Sequence, residues 1–165
     1  MIKQVRMIVA ILIGLIPALT TVYAEPERIA AIEDQLRVAV AALPGMRAVL
    51  EVEAVPVAGD GDRFTVAVTY QTEELSEFGY HAEIVDVFQV IGAAVEAGEL
   101  DDIDAVTVLP AVVFGEMVEP IERLRASVEM IEALARGAVT RSAFLVDLER
   151  APGAHQQAPP AGDNI

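Results

Sequence analysis

Several residue types that carry chemistry in proteins are absent or scarce in this 165-residue chain. There is no cysteine, which excludes thiol catalysis and disulfide bonds, so the fold must be stable through packing alone. There is no tryptophan, and three tyrosines are a poor supply for a carbohydrate-stacking surface. Lys3 is the only lysine, and two histidines leave few candidates for acid–base catalysis.

Positive charge is also scarce. The chain has 26 acidic residues against 11 basic ones, for a formal net charge of −15. Nucleic-acid binding requires clustered positive charge, so this composition argues against a nucleic-acid partner. Anionic lipid surfaces are disfavoured for the same reason. The acidic surface either serves solubility or attracts a basic partner or divalent cations.

Residues 1–24 have the three zones of a signal peptide. Lys3 and Arg6 form a positive start, and residues 7–19 are apolar except for two interruptions. Val22 and Ala24 are small residues at the −3 and −1 positions of a cleavage site. The sequence predicts cleavage after Ala24, with export to the bacterial periplasm or beyond the cell. An uncleaved N-terminal anchor is the alternative, and it exports the rest of the chain equally.

The remainder is predicted to form one domain over residues 25–150, followed by a disordered tail over 151–165 that has three prolines and no apolar periodicity. Helical spacing marks residues 26–43 and 73–97, and period-2 alternation marks 47–57 and 63–71 around a Gly/Asp turn. The later elements are a strand over 105–114, a helix that opens at Glu119 with the stripe Ile121, Leu124, Val128 and Ile131, and a short helix capped by Thr140. The predicted fold is α+β, a small two-layer α/β sandwich of order α-β-β-α-β-α with one further α as an option.

His81 is the one histidine in a structured segment that invites a chemical interpretation. Glu77 and Glu74 precede it by four and seven residues, so all three share one edge of the predicted helix. The set could form an acid–base pair or a weak metal site, which would make the protein a small envelope hydrolase or metal-dependent enzyme. The other interpretation is a half-buried structural histidine. The metalloprotease spacing H-E-x-x-H, the glycine-rich phosphate loop and the G-x-S-x-G elbow are all absent, and we expect no cofactor and no metal.

The predicted strand 105–114 is apolar on both alternations. One alternation contains Val106, Val108, Val112 and Phe114, and the other contains Leu109, Ala111 and Val113. A two-layer domain buries only one face of such a strand, so either the C-terminal helices or a partner covers the second face. The sequence therefore favours a non-catalytic binding module for a protein or a small apolar ligand, with Val106, Val108, Val112 and Phe114 as the contact residues.

Overall fold

The computed structural model describes residues 26–45, 48–58, 60–74 and 76–153. The predicted signal peptide with its cleavage site, and the predicted tail beyond residue 153, lie outside the described residues. The described part is a mixed α+β fold, as predicted. Its helices are α1 (residues 26–41), α2 (Glu77–Glu96), α3 (Val128–Ala135) and α4 (Arg141–Asp147). Its strands are β1 (Ala48–Val57), β2 (Asp60–Gln71), β3 (Ile103–Phe114), β4 (Met117–Pro120), β5 (Glu122–Ser127) and β6 (Glu149–Pro152).

The six strands form one mixed sheet of order β1-β2-β3-β5-β6, and β4 pairs with β3. β1 and β2 form the predicted antiparallel hairpin. β2 and β3 are parallel and are joined through α2. β5 pairs antiparallel with both β3 and β6. β6 includes Ala151 and Pro152, which were predicted to belong to the disordered tail.

The prediction of a helix starting at Glu119 was wrong over residues 119–127, because these residues form β4 and β5 along β3. Ala111 pairs with Pro120 and Val108 pairs with Leu124, so the partner strand has one extra residue between these pairs. Pro110 lies opposite that irregularity, where it has no N–H to donate to a ladder. Its carbonyl accepts a hydrogen bond from the Ile121 N–H at 2.8 Å. Helix begins only at Val128.

One hydrophobic core joins the helices to one face of the sheet. α2 contributes the largest helical share, and its Phe88 meets Phe144 of α4 edge to face with ring centroids 5.2 Å apart. Side-chain caps fix three helix starts: the hydroxyl oxygens of Ser76, Ser127 and Thr140 each accept an N–H bond from the first turn. The sheet residues of this core are Val52, Ala54, Phe64, Val66, Val68, Tyr70, Ile103, Val106, Val108, Leu124 and Ala126.

None of the helices described between residues 26 and 153 combines the length and the apolar character needed to cross a bilayer.

Gly92 sets the distance between α2 and α3. A Cβ atom at this position would lie 2.7 Å from the Ile131 carbonyl oxygen and 2.9 Å from the Ala135 Cβ. We expect Gly92→Ala to lower the free energy of unfolding by about 1–3 kcal/mol, because the clash exceeds the roughly 1 kcal/mol gained in helix propensity. Thermal melts followed by circular dichroism measure the change. Gln89→Ala, at an exposed position of the same helix, is the control and should leave the melting temperature nearly unchanged. A Gly92→Ala variant at least as stable as wild type would contradict the prediction.

Candidate functional site

The face of the sheet that does not join the core carries a shallow groove of about 320 Å³. We call it the open-face groove. Its lining side chains all come from four adjacent strands, β1, β2, β3 and β5. They are Glu51, Glu53, Ala67, Thr69, Thr107, Leu109, Arg123 and Arg125.

The strand register arranges these residues in levels across the sheet. Glu53 pairs with Ala67, Ala67 with Thr107, and Thr107 with Arg125, so these four residues lie at one level. Glu51 pairs with Thr69 and Thr69 with Leu109 at the next level. Arg123 lies two residues from Arg125 on β5, and therefore on the same face. The groove has an acidic wall on β1, an arginine wall on β5, and a floor of small or aliphatic residues between them.

The two walls are too far apart to neutralise each other. Three interstrand spacings of roughly 4.8 Å separate β1 from β5, or about 14 Å. Among the described residues, neither the Arg123 nor the Arg125 guanidinium has an ion pair or a side-chain hydrogen bond, although Arg125 has Glu149 as its cross-strand neighbour on β6. Five other described arginines do form ion pairs: Arg28, Arg63, Arg136, Arg141 and Arg150. Arg123 and Arg125 are therefore two neighbouring arginines that form no ion pair within the described residues.

The predicted set of His81, Glu77 and Glu74 does not form one cluster. His81 borders a groove of about 430 Å³ with Arg141 and Ser142. Glu74 lines a different groove and accepts a hydrogen bond from the Ser76 hydroxyl at 3.2 Å. Glu77 is exposed at the start of α2. Within the described ranges, no three His, Asp or Glu side chains are placed to hold a metal ion.

His81 and Ser142 share a groove, which is the geometry from which a nucleophile–base pair would have to be built. No hydrogen bond joins their side chains in the described part of the chain, and the packing partner of the His81 ring is Tyr80, with centroids 6.0 Å apart. Activation of a serine requires a base within hydrogen-bond reach, so this pair lacks the required contact. Arg141, the third polar residue of the groove, forms an ion pair with Asp86.

The four predicted contact residues on β3 are divided between core and surface. Val106 and Val108 are fully buried beneath the helices, so a partner cannot reach them. Val112 is half-buried, and Phe114 is 58% exposed at the tip of the β3–β4 hairpin. The opposite alternation of β3, with Thr107 and Leu109, faces the open-face groove, and none of the described helices contributes a residue to that groove.

Sequence reasoning missed Arg123 and Arg125, although a signal for them was present. The segment "ERLRAS" alternates polar and apolar residues with period 2, and Leu124 and Ala126 are the buried members. That alternation is the mark of a half-buried strand with arginines on its outer side.

A second feature is a buried polar cluster at one end of the core. In the described residues, the hydroxyls of Tyr70 and Tyr80 and the Oε1 atom of Glu83 are buried without a hydrogen-bond partner. The other Glu83 oxygen accepts from the Thr72 hydroxyl at 3.2 Å. Burial raises the pKa of Glu83, and the adjacent hydroxyls of Thr72 and Tyr70 offset only part of that rise. Burial also raises the pKa of both tyrosines, so they stay neutral at physiological pH.

The raised pKa of Glu83 makes a pH-dependent contribution to stability. Because the folded protein binds this proton more tightly than the unfolded chain does, the contribution is present below the ordinary carboxyl pKa of 4.5 and is lost as pH rises through the raised pKa. Glu83→Gln removes the buried charge and keeps an acceptor for Thr72. We expect the variant to melt a few degrees above wild type near pH 7, with the difference shrinking near pH 4. Glu77→Gln, exposed on the same helix, is the control for circular dichroism melts at both pH values. A Glu83→Gln variant less stable than wild type near pH 7 would show that the carboxylate is stabilising.

Replacement of His81 should have little effect, because its side chain is half-buried and makes no hydrogen bond within the described residues. We expect His81→Ala to change the free energy of unfolding by less than about 1 kcal/mol. Ser142→Ala, across the same groove, serves as the matched variant in thermal melts. A folded His81→Ala protein that had lost a hydrolytic activity of the wild type would support the catalytic alternative.

No protein-family model, curated protein or solved structure matches this chain.

Proposed function

We propose that the chain is a non-catalytic protein-interaction module of the bacterial envelope, and that the open-face groove is its contact surface. The observation that carries the proposal is the pair of unpaired arginines facing two glutamates across a floor of small residues. Unpaired charges at fixed positions on a sheet surface can be recognised by a partner that carries complementary charges. The envelope location depends on the signal-like segment over residues 1–24 and is part of the proposal.

The chemistry of the groove favours a protein over a small apolar ligand. Pockets for apolar ligands are enclosed and lined mostly by hydrophobic and aromatic side chains. The open-face groove contains one large aliphatic residue, Leu109, and its walls are charged. It is also shallow and spans four strands, which suits the flat, partly polar surface of another protein.

The floor allows close approach. Ala67 and the two threonines at positions 69 and 107 are short, and the threonines are each only 9% exposed between their neighbours. A partner can therefore reach the level of the strands between the two charged walls, where arginine and glutamate side chains become partly desolvated and their ion pairs gain strength. Such a contact requires no rearrangement of the core on the other side of the sheet.

Blocking the floor tests this proposal. Ala67→Arg places a long side chain in the middle of the groove and leaves the core face of β2 untouched. Ala93→Arg makes the same chemical change at an exposed position of α2 and is the control. We expect immobilised wild type and Ala93→Arg to retain the same envelope proteins, and Ala67→Arg to lose them. Circular dichroism establishes that both variants are folded.

Two results would contradict the proposal. In one, Ala67→Arg retains the same proteins as wild type. In the other, Phe114→Ser at the hairpin tip abolishes retention while Ala67→Arg does not, which would place the contact surface at Phe114, one of the four residues selected from the sequence.

A further inference from the structure

We infer that the partner of the open-face groove is a second copy of this chain, stacked face to face so that the acidic wall of each copy lies on the arginine wall of the other. The inference rests on the proposed function, because it names the occupant of the same surface. It rests on the charge pattern of the groove and on the strand register that produces it.

The strand order makes the groove self-complementary. A two-fold axis parallel to the strands, passing midway between β2 and β3, places β1 of one copy over β5 of the other. This rotation preserves the position along the strands. Glu53 and Arg125 share one level, so Glu53 of each copy meets Arg125 of the other. The neighbouring level brings Glu51 towards Arg123, which gives four ion pairs in the symmetric complex.

The charge pattern also selects the orientation. A two-fold axis in the plane of the interface but perpendicular to the strands would place β1 over β1 and β5 over β5. Glutamate would then face glutamate and arginine would face arginine, and like charges in contact are destabilising. Only the axis parallel to the strands joins opposite charges, so the register predicts one arrangement of the two copies.

The rest of the surface discourages other contacts between copies. The chain has a net charge of −15, and two copies repel each other over most orientations. The walls of the groove contain two glutamates and two arginines, so the groove is locally neutral while its surroundings are acidic. Glu149, the cross-strand neighbour of Arg125, weakens the attraction between Arg125 and a glutamate of the second copy. Arg123 has the uncharged Ala151 as its cross-strand neighbour.

The floor fits the spacing of stacked sheets. Two sheets that pack face to face lie about 10 Å apart with their side chains interdigitated, and short floor side chains do not hold the two copies further apart than that. In the proposed complex Ala67 of one copy lies opposite Thr107 of the other at the level of Glu53 and Arg125. A contact only four strands wide is at the small end of specific interfaces, so we expect a weak dimer that forms with rising concentration.

Charge reversal tests the inference. Sedimentation velocity of the protein purified from an exporting host, from about 10 µM to about 1 mM, should show an average mass rising towards that of a dimer. Arg123→Glu with Arg125→Glu should remain monomeric, and so should Glu51→Arg with Glu53→Arg. An equimolar mixture of the two double variants should form heterodimers, because each acidic face then meets a basic one. Arg37→Glu, exposed on α1, reverses one charge away from the groove and should behave as wild type.

Cross-linking between copies tests the position of the two-fold axis. Because the chain has no cysteine, an introduced thiol is the only one present. Ala67→Cys mixed with Thr107→Cys should be joined between copies by a short thiol cross-linker much faster than either variant alone. Equal rates in all three samples would reject the proposed register.

The two proposals fail separately. A wild type that is monomeric at every concentration, or a mixture of reversed variants that stays monomeric, overturns the second-copy inference. If Ala67→Arg nevertheless loses envelope proteins that wild type retains, the open-face groove binds a different protein and the proposed function stands. If wild type is monomeric and Ala67→Arg retains everything that wild type retains, both are wrong.

Discussion

Strand β3 must have hydrogen-bond partners along both of its edges, and much of the fold follows from that requirement. β3 has 12 residues, nearly all apolar, and Val106 and Val108 are fully buried, so its backbone groups cannot be hydrogen-bonded by water. β2 occupies one edge, and β4 with β5 occupies the other. Pro110, which lacks an N–H, lies where the second partner strand has its irregularity. The pairing therefore holds residues 117–127 in strands, and the chain turns into helix only after Ser127.

Local patterns predicted the elements whose evidence was local. The hairpin of β1 and β2 and the Thr140 cap of α4 were confirmed, because alternation, turn residues and capping residues lie within a few positions of one another. The prediction of a helix from Glu119 was wrong because two patterns overlap in this segment. Ile121, Leu124, Val128 and Ile131 have helical spacing, but Leu124 also fits the alternation of a strand. The deciding partner, β3, is separated from this segment by a turn. β6 was missed because "ERAP" has no apolar alternation at all.

The candidate site was less predictable than the fold, since its residues converge only through the sheet. Glu51 and Glu53 alternate with buried residues along β1 and lie on the open face of the sheet. Arg123 and Arg125 join them only when β2 and β3 set the register across three strand spacings, which no local spacing reveals. For His81, the sequence grouped residues that the structure separates. Helical periodicity placed Glu74 on the same helix edge as His81, but α2 begins only at Glu77. Glu74 therefore lies before the helix, where its carboxylate accepts a hydrogen bond from the Ser76 hydroxyl.

The same register that separates the charged walls explains why they remain unpaired within the molecule. Glutamates on β1 and arginines on β5 cannot approach each other while β2 and β3 lie between them. An arginine on β2 beside Glu53 could have paired with that glutamate within the molecule, but Ala67 occupies the position. On the open face, Thr69 and Thr107 are each only 9% exposed, because their own neighbours shield them. The buried core of the described residues therefore lies on the helical side of the sheet.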